Sequence, residues 1–317
     1  MKKFFITGAA GFIGSHVCEH ILSKFPNSKI IALDKLTYAG NKLFLKKIIN
    51  NKNFTFIKSD ILETKNYVKY LKKIDCAINI AAESHVDNSF DNSIEFTKTN
   101  TLGAHIFLEN CIKNKVKKII HISTDEVYGD KLRGKSYEKD SLNPTNPYSA
   151  SKAAAEMITG SYKYIFKKDI VIIRANNIYG IRQFPEKLIP SCIFSLINNR
   201  KIKIHGNGLN RRHFLFVGDF CNALEIIIRK VNDGIYNIGS DESFQNIQIA
   251  KKICALMKKS NKNIKYTKDR PFNDKRYSVS SKKIQNIGWK PKKNLFKELN
   301  EIIKRYTENY KIFSKNI

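Results

Sequence analysis

The chain has 317 residues, 42% of them hydrophobic, which is enough for one large or two modest cores and too apolar for a disordered chain. No apolar run approaches the roughly 20 residues that cross a bilayer, so no membrane role is expected. The net charge of +29 invites a nucleic-acid reading, but 47 of the 57 basic residues are lysines spread along the whole chain, with no basic tail and no DNA- or RNA-binding motif. That pattern is read as a solvated lysine-rich surface, with no nucleic-acid partner.

The N-terminal "MKKFFITGAAGFIG" mimics a signal peptide, but its apolar stretch is short and broken by glycines. It reads better as a first strand, "KFFIT", followed by a glycine turn and a helix. The turn, "TGAAGFIGS", places Gly8, Gly11 and Gly14 in a G-x-x-G-x-x-G arrangement. Such glycines let the backbone approach a pyrophosphate, and the helix start supplies N–H groups and a positive dipole end. The second strand, "KIIALD", ends on Asp34, twenty residues after Gly14. A carboxylate there would hold an adenine-ribose hydroxyl and reject a 2′-phosphate, so the expected cofactor is NAD rather than NADP. The third strand, "FTFIKSD", closes on Asp60, where an adenine should lie.

Further strands read "CAINIAA", "KKIIHIS" and "DIVIIRA", with amphipathic stretches such as "SHVCEHILSKF" and "IFLENCIKNK" between strands. Near-continuous apolar strands alternating with helices predict an α/β fold, a Rossmann-type doubly wound parallel sheet. The run "KKIIHIS" leads into Thr124, Asp125 and Glu126, two adjacent acids at a costly place for charge. Next, "PYSASK" sets Tyr148 and Lys152 four apart on one helix face. A lysine cation and a positive nicotinamide would stabilise a phenolate that removes a hydroxyl proton.

After about residue 180 the loops lengthen. The expected division is a dinucleotide-binding domain over 1–180 and a smaller α/β lobe over 181–317, with some exchange of elements between them. The six cysteines form no CxxC pair and no zinc spacing, which predicts free thiols in the cytosol and no metal.

Taken together, "TGAAGFIGS", "LDKLTYAGN", "AAESHVD", "STDEVYG", "NPYSASKAAAE", "QFPEKLIP" and "DRPFNDKRY" resemble the extended short-chain dehydrogenase/reductase family, and within it the nucleotide-sugar 4,6-dehydratases. The likeness covers nearly the whole chain in order. It implies NAD-dependent conversion of dTDP-glucose to dTDP-4-keto-6-deoxyglucose. Oxidation at C4 acidifies the C5 proton; a base then removes it while an acid protonates the leaving C6 hydroxyl. By resemblance Tyr148 takes the O4 proton, Glu126 is the base and Asp125 the acid, and Thr124 holds O4. Phe12 and Ile13 would meet the pyrophosphate; Asp34, Lys35, Leu36 and Thr37 the adenosine ribose; Asp60 and Ile61 the adenine. Ala81, Ala82 and Ser84 would line the nicotinamide side, with Ser84 also near the sugar, and Thr99 or Asn100 would complete the shell. Asn177, Lys187, Leu188, Lys203 to His205, Arg212, Asn246 and Arg270 to Asn273 match positions that hold the nucleotide diphosphate. A homodimer through residues 95–113 and 149–167 is also implied.

The chain departs from the family pattern at Asn88, where arginine is usual, at His213 and Phe214 in place of Asp–Trp, and at Phe272 and Asn273 in place of Gly–His. "DNSFDNSIEFTK" and "RPFNDKRY" look more like the UDP-glucose 4,6-dehydratase domain of plant rhamnose synthases. A UDP-glucose 4,6-dehydratase is therefore the alternative, followed by a C4 epimerase, against which Asp125 and Glu126 argue. A non-catalytic NAD-sensing module conflicts with the intact Tyr148, Lys152, Asp125 and Glu126.

Overall fold

The inner strands of the central sheet are apolar and buried on both faces because helices cover both faces. The computed structural model describes residues 1–313. Its strands β1 (Lys3–Thr7), β2 (Lys29–Asp34), β3 (Phe54–Lys58), β4 (Cys76–Asn79), β5 (Lys118–Thr124) and β6 (Asp169–Ala175) lie in the order β3-β2-β1-β4-β5-β6. The strand Gly234–Ile238 extends the sheet beyond β6. All pairings in this sheet are parallel. Successive side chains alternate between faces. Phe4, Ile6, Ile120, Ile122 and Ile173 pack with Val17, Ile21, Leu224 and Ile227 on one side. Phe5, Ala77, Ile119 and Ile170 pack with Tyr67, Phe107 and Leu108 on the other.

The strand order reverses between β1 and β4. Their carboxyl ends splay apart there and leave the crevice in which ligands of such sheets bind. The chain leaves the sheet after Ala175 and builds a smaller lobe. Strands Asn177–Tyr179, Arg211–Phe216 and Ser243–Gln245 form one small sheet, and Ile202–His205 pairs with Ile264–Thr267 in another. Helices Leu188–Ile197, Asn246–Leu256 and Leu295–Glu308 enclose its own core around Ile193, Phe194, Ile253, Leu299 and Tyr306.

Between these lobe segments the chain returns to the large sheet as the helix Val217–Lys230 and the strand Gly234–Ile238. Trp289 also packs into the large core, its indole N–H donating to the Asp219 carbonyl at 2.9 Å. The sequence reading missed Gly234–Ile238 as a sheet strand, because it lies within the stretch assigned to the lobe. All six cysteines are unpaired and buried, and among the described residues no helix is long and apolar enough to cross a membrane.

Candidate active site

The glycine turn shapes the first wall of the site. Gly8 has φ +65°, and a Cβ there would stand 2.7 Å from the Ala81 nitrogen. A Cβ on Gly14 would stand 2.0 Å from the Gly8 carbonyl oxygen, so neither position admits a side chain. Gly11 caps the helix Phe12–Lys24, whose first turn holds no acid, so its dipole is free to face an anion. Asp34, buried at the end of β2, accepts from the backbone N–H groups of Ala10 at 2.8 Å and Leu36 at 2.7 Å. It thereby ties the glycine turn to the second strand. Burial pushes its carboxyl up, and those N–H groups oppose the shift.

A cavity of about 310 Å³ runs along the carboxyl ends of the strands. Gly8, Gly11, Phe12, Ile13 and Gly14 line one stretch, with Asp34, Lys35, Thr37, Asp60 and Ile61 further along. Lys35 and Asp60 are paired at 2.7 Å. Ala81, Ala82, Ser84, Thr99, Thr124, Tyr148 and Lys152 line the rest. Leu36 is the exception: its φ is +60° and its side chain packs on the apolar core rather than into the cavity. Thr99 and Asn100 sit in a π-helical segment, Thr97–Gly103. Asn100 is buried behind the wall, donating to the Glu83 carbonyl at 3.0 Å and to Ser151 Oγ at 2.9 Å.

Tyr148 and Lys152 lie on the first turns of the helix Pro147–Phe166, which starts with proline and is capped by a reciprocal Asn146–Ser149 box. Lys152 Nζ donates to the Ile122 carbonyl at 2.6 Å, and burial lowers its pKa to about 8. The Tyr148 hydroxyl is hydrogen-bonded to the Thr124 side chain, yet burial and the charges of Glu126 and Asp125 push its pKa above the ordinary phenol value. The expected depression of this pKa is therefore absent from the protein alone.

β5 ends at Thr124, and Asp125–Tyr128 form a single tight turn. The Thr124 hydroxyl accepts from the Glu126 N–H at 3.2 Å and donates to Asp125 Oδ1 at 3.3 Å. Asp125 is 2% exposed and lies just behind the cavity wall, where Asn176 Nδ2 donates to its Oδ2 at 2.6 Å. Burial, then the Glu126 charge, raises the Asp125 pKa to about 7. Burial raises Glu126 as well, while Arg212, Lys187 and a bond from Asn146 pull it back down.

Glu126 stands where the first cavity meets a second of about 140 Å³. Ser84, Asn177 and Lys187 share that junction, and Leu188, Arg212, Asn246, Arg270 and Asn273 line the second cavity. Lys187 Nζ donates to the Ser84 carbonyl at 2.5 Å. Lys203 and His205 line neither cavity. Lys203 is exposed on the strand Ile202–His205, and His205 Nδ1 contacts the Lys268 carbonyl at 3.3 Å. Sequence reasoning missed Asn176, Glu186 and Tyr277. Asn176 could have been found, because a polar residue directly after a buried parallel strand faces the ligand crevice. Tyr277 and Glu186 come from irregular loops and carried no periodic signal. Among the described residues no group of three or more His, Cys, Asp or Glu is arranged to hold a metal ion.

Residues 5–303 match the GDP-mannose 4,6 dehydratase family. A dTDP-D-glucose 4,6-dehydratase of Dictyostelium discoideum is 43% identical over 92% of this chain and 78% of its own length. A trifunctional Arabidopsis thaliana enzyme whose name includes UDP-glucose 4,6-dehydratase is 41% identical over 97% of this chain, which spans about half (48%) of that protein. In three dimensions the chain superposes on a dTDP-glucose 4,6-dehydratase of Streptomyces venezuelae, solved with NAD bound, with a TM-score of 0.95, 32% identity and 98% coverage of both chains. The parallel sheet, the glycine cradle and these matches agree: the chain belongs to the GDP-mannose 4,6 dehydratase family.

Proposed function

We propose that the protein is an NAD-dependent dTDP-glucose 4,6-dehydratase, a hydro-lyase giving dTDP-4-keto-6-deoxyglucose. The observation that carries this reading is the position of Glu126 at the junction of the two cavities, with Asp125 beside it at a pKa of about 7. Two adjacent carboxyl groups with different environments suit one base and one acid.

NAD fits the first cavity, because the Gly8 and Gly14 backbone leaves room for a pyrophosphate and Asp34 keeps lone pairs for a ribose hydroxyl. Bound there, it would accept hydride from C4 and return it to C6, so it is regenerated rather than consumed. The residues that would hold it are the glycine turn, Asp34, Lys35, Thr37, Asp60, Ile61, Ala81, Ala82, Ser84 and Thr99. Tyr148 takes the O4 proton while Thr124 holds that oxygen. Lys152, anchored on the Ile122 carbonyl, keeps a cation beneath the reacting carbon. Glu126 removes the C5 proton, which the new C4 ketone has made acidic. Asp125 gives its proton to the leaving C6 oxygen, and Asn176 fixes the carboxyl through its other oxygen. Arg212, Arg270, Lys187 and Asn273 face the diphosphate in the second cavity, where planar guanidinium forks match phosphate oxygens.

The exposed apolar side chains Leu102, Met157, Tyr164 and Ile165 support a homodimer through residues 95–113 and 149–167. Free, buried cysteines fit a cytosolic setting.

Offered dTDP-glucose and UDP-glucose separately, the protein should release product lighter by one water. kcat/KM should favour dTDP-glucose by about tenfold, as befits a small chemical difference on the nucleoside. An isomer of unchanged mass would mean epimerisation; a preference for UDP-glucose would replace the substrate but not the reaction.

Glu126→Gln should leave C4 oxidation visible as NADH absorbance in a single turnover, while solvent-deuterium exchange at C5 falls by about 10²-fold or more. Unchanged exchange would move the base elsewhere.

Because the acid must carry its proton, kcat should fall as pH rises through about 7, where Asp125 ionises. A pH profile flat from 6 to 9 would remove Asp125 from that role.

Met157→Glu combined with Ile165→Glu should halve the mass found by light scattering. A mass that stays dimeric would place the interface elsewhere.

A further inference from the structure

Arg212 and Arg270 reach the second cavity in different ways. Arg212 is held by neutral groups: its Nη1 donates to the carbonyls of Arg211 and Asp274 at 2.9 Å each, and its Nη2 to Asn273 Oδ1 at 3.2 Å. The Tyr277 ring lies 4.8 Å from its guanidinium carbon. Arg270, from the loop after the strand Ile264–Thr267, is instead gripped by a carboxylate across the cleft. Asp87, in the first turn of Val86–Asp91, accepts a hydrogen bond from its Nη2 at 3.1 Å through Oδ2, and its Oδ1 lies 2.5 Å from Nε as an ion-pair contact that is not aligned as a hydrogen bond. Asp87 itself lines neither cavity, whereas Arg270 lines the second. The side chains of His85 and His205 stand 3.6 and 3.9 Å from the same Asp87 oxygen.

A guanidinium has five N–H donors in one plane. The ion pair, with its single hydrogen bond from Nη2, sets the Asp87 carboxylate along the Nε–Nη2 edge and leaves the other edge, Nη1 and the outer N–H of Nη2, turned away from it. A planar group fixed on one edge has its opposite edge aimed. We propose that Asp87 is a positioning residue for the diphosphate: it holds Arg270 across the cleft so that the free edge of the fork meets a phosphate oxygen. Without this hold, a long, partly exposed arginine would sample many rotamers, and binding would have to order it. The proposal rests on the reading of Arg270 as a diphosphate ligand.

The test uses the NAD-loaded protein and calorimetric titration with thymidine diphosphate and with uridine diphosphate. Asp87→Ala and the isosteric Asp87→Asn should each weaken the preferred nucleotide about tenfold and raise the sugar-nucleotide KM in step, with kcat, NAD affinity and thermal midpoint unchanged. The pair Asp87→Ala/Arg270→Ala should bind no more weakly than Arg270→Ala alone, because the two act through one contact. Wild-type or tighter binding by both Asp87 variants would overturn the proposal, as would losses that multiply in the double variant. Loss in Arg270→Ala without loss in the Asp87 variants would remove Asp87 only. An Arg270→Ala variant that binds normally would remove the diphosphate role of Arg270 and the proposal with it.

Discussion

The geometry of the candidate site hangs on one buried ion pair. Arg174 on β6 donates Nε and Nη2 to Glu156 Oε2 at 2.9 and 2.7 Å, and both side chains are at most 4% exposed. Its remaining arm donates to the Tyr128 hydroxyl at 2.6 Å, with the guanidinium 4.7 Å from that ring's centre, and the Tyr128 hydroxyl in turn donates a hydrogen bond to Asn237 Oδ1 at 2.9 Å. Three pieces of chain meet there: the helix carrying Tyr148 and Lys152, the turn carrying Asp125 and Glu126, and the strand Gly234–Ile238. Burying such a pair costs desolvation that its attraction only partly offsets, so its value lies in fixing one arrangement. Glu156 also sits one turn from Lys152 and opposes the lowering of that lysine's pKa. One carboxylate thus orients the helix and helps keep its lysine charged.

Around this frame, low local polarity sets the protonation states. Burial is the largest influence on Asp125, Glu126, Tyr148 and Lys152, and it moves each towards its neutral form. The Tyr148 hydroxyl therefore resists ionisation. Ionising that hydroxyl needs a positive charge brought close to it. The acid pair needs no such partner, because Asn176 on one carboxyl and Asn146, Arg212 and Lys187 around the other already differentiate the two.

Much of this was legible in the sequence. Periodicity located the first six strands, with "DIVIIRA" matching β6 at both ends, because buried parallel strands are apolar without interruption. The glycine turn, Asp34 and the Tyr148–Lys152 spacing are local in sequence, and the structure brings them to one cavity. Long-range features were not legible. Gly234–Ile238 reads as an ordinary short strand, and only tertiary contacts assign it to the large sheet. The Lys203–His205 positions matched family positions, but Lys203 and His205 line neither cavity. The grip of Asp87 on Arg270 joins residues 183 apart in the chain, beyond any pattern in a single sequence.

The route of the chain also governs how the protein can come apart. Because the segment after Tyr179 builds lobe strands, goes back to the large sheet as Val217–Ile238 and then re-enters the lobe, the two bodies are sewn together by several crossings rather than one. No single cut yields two self-sufficient pieces. A fragment ending near residue 180 would lack the outermost strand, whose Asn237 accepts from Tyr128, the covering helix, and Trp289 from the core. Such weaving couples the unfolding of each body to that of the other, so the cleft between them persists as long as the sheet does. Shape in the second cavity is then a property of the whole chain, and a loss of stability far out in the lobe becomes a loss of alignment at Glu126.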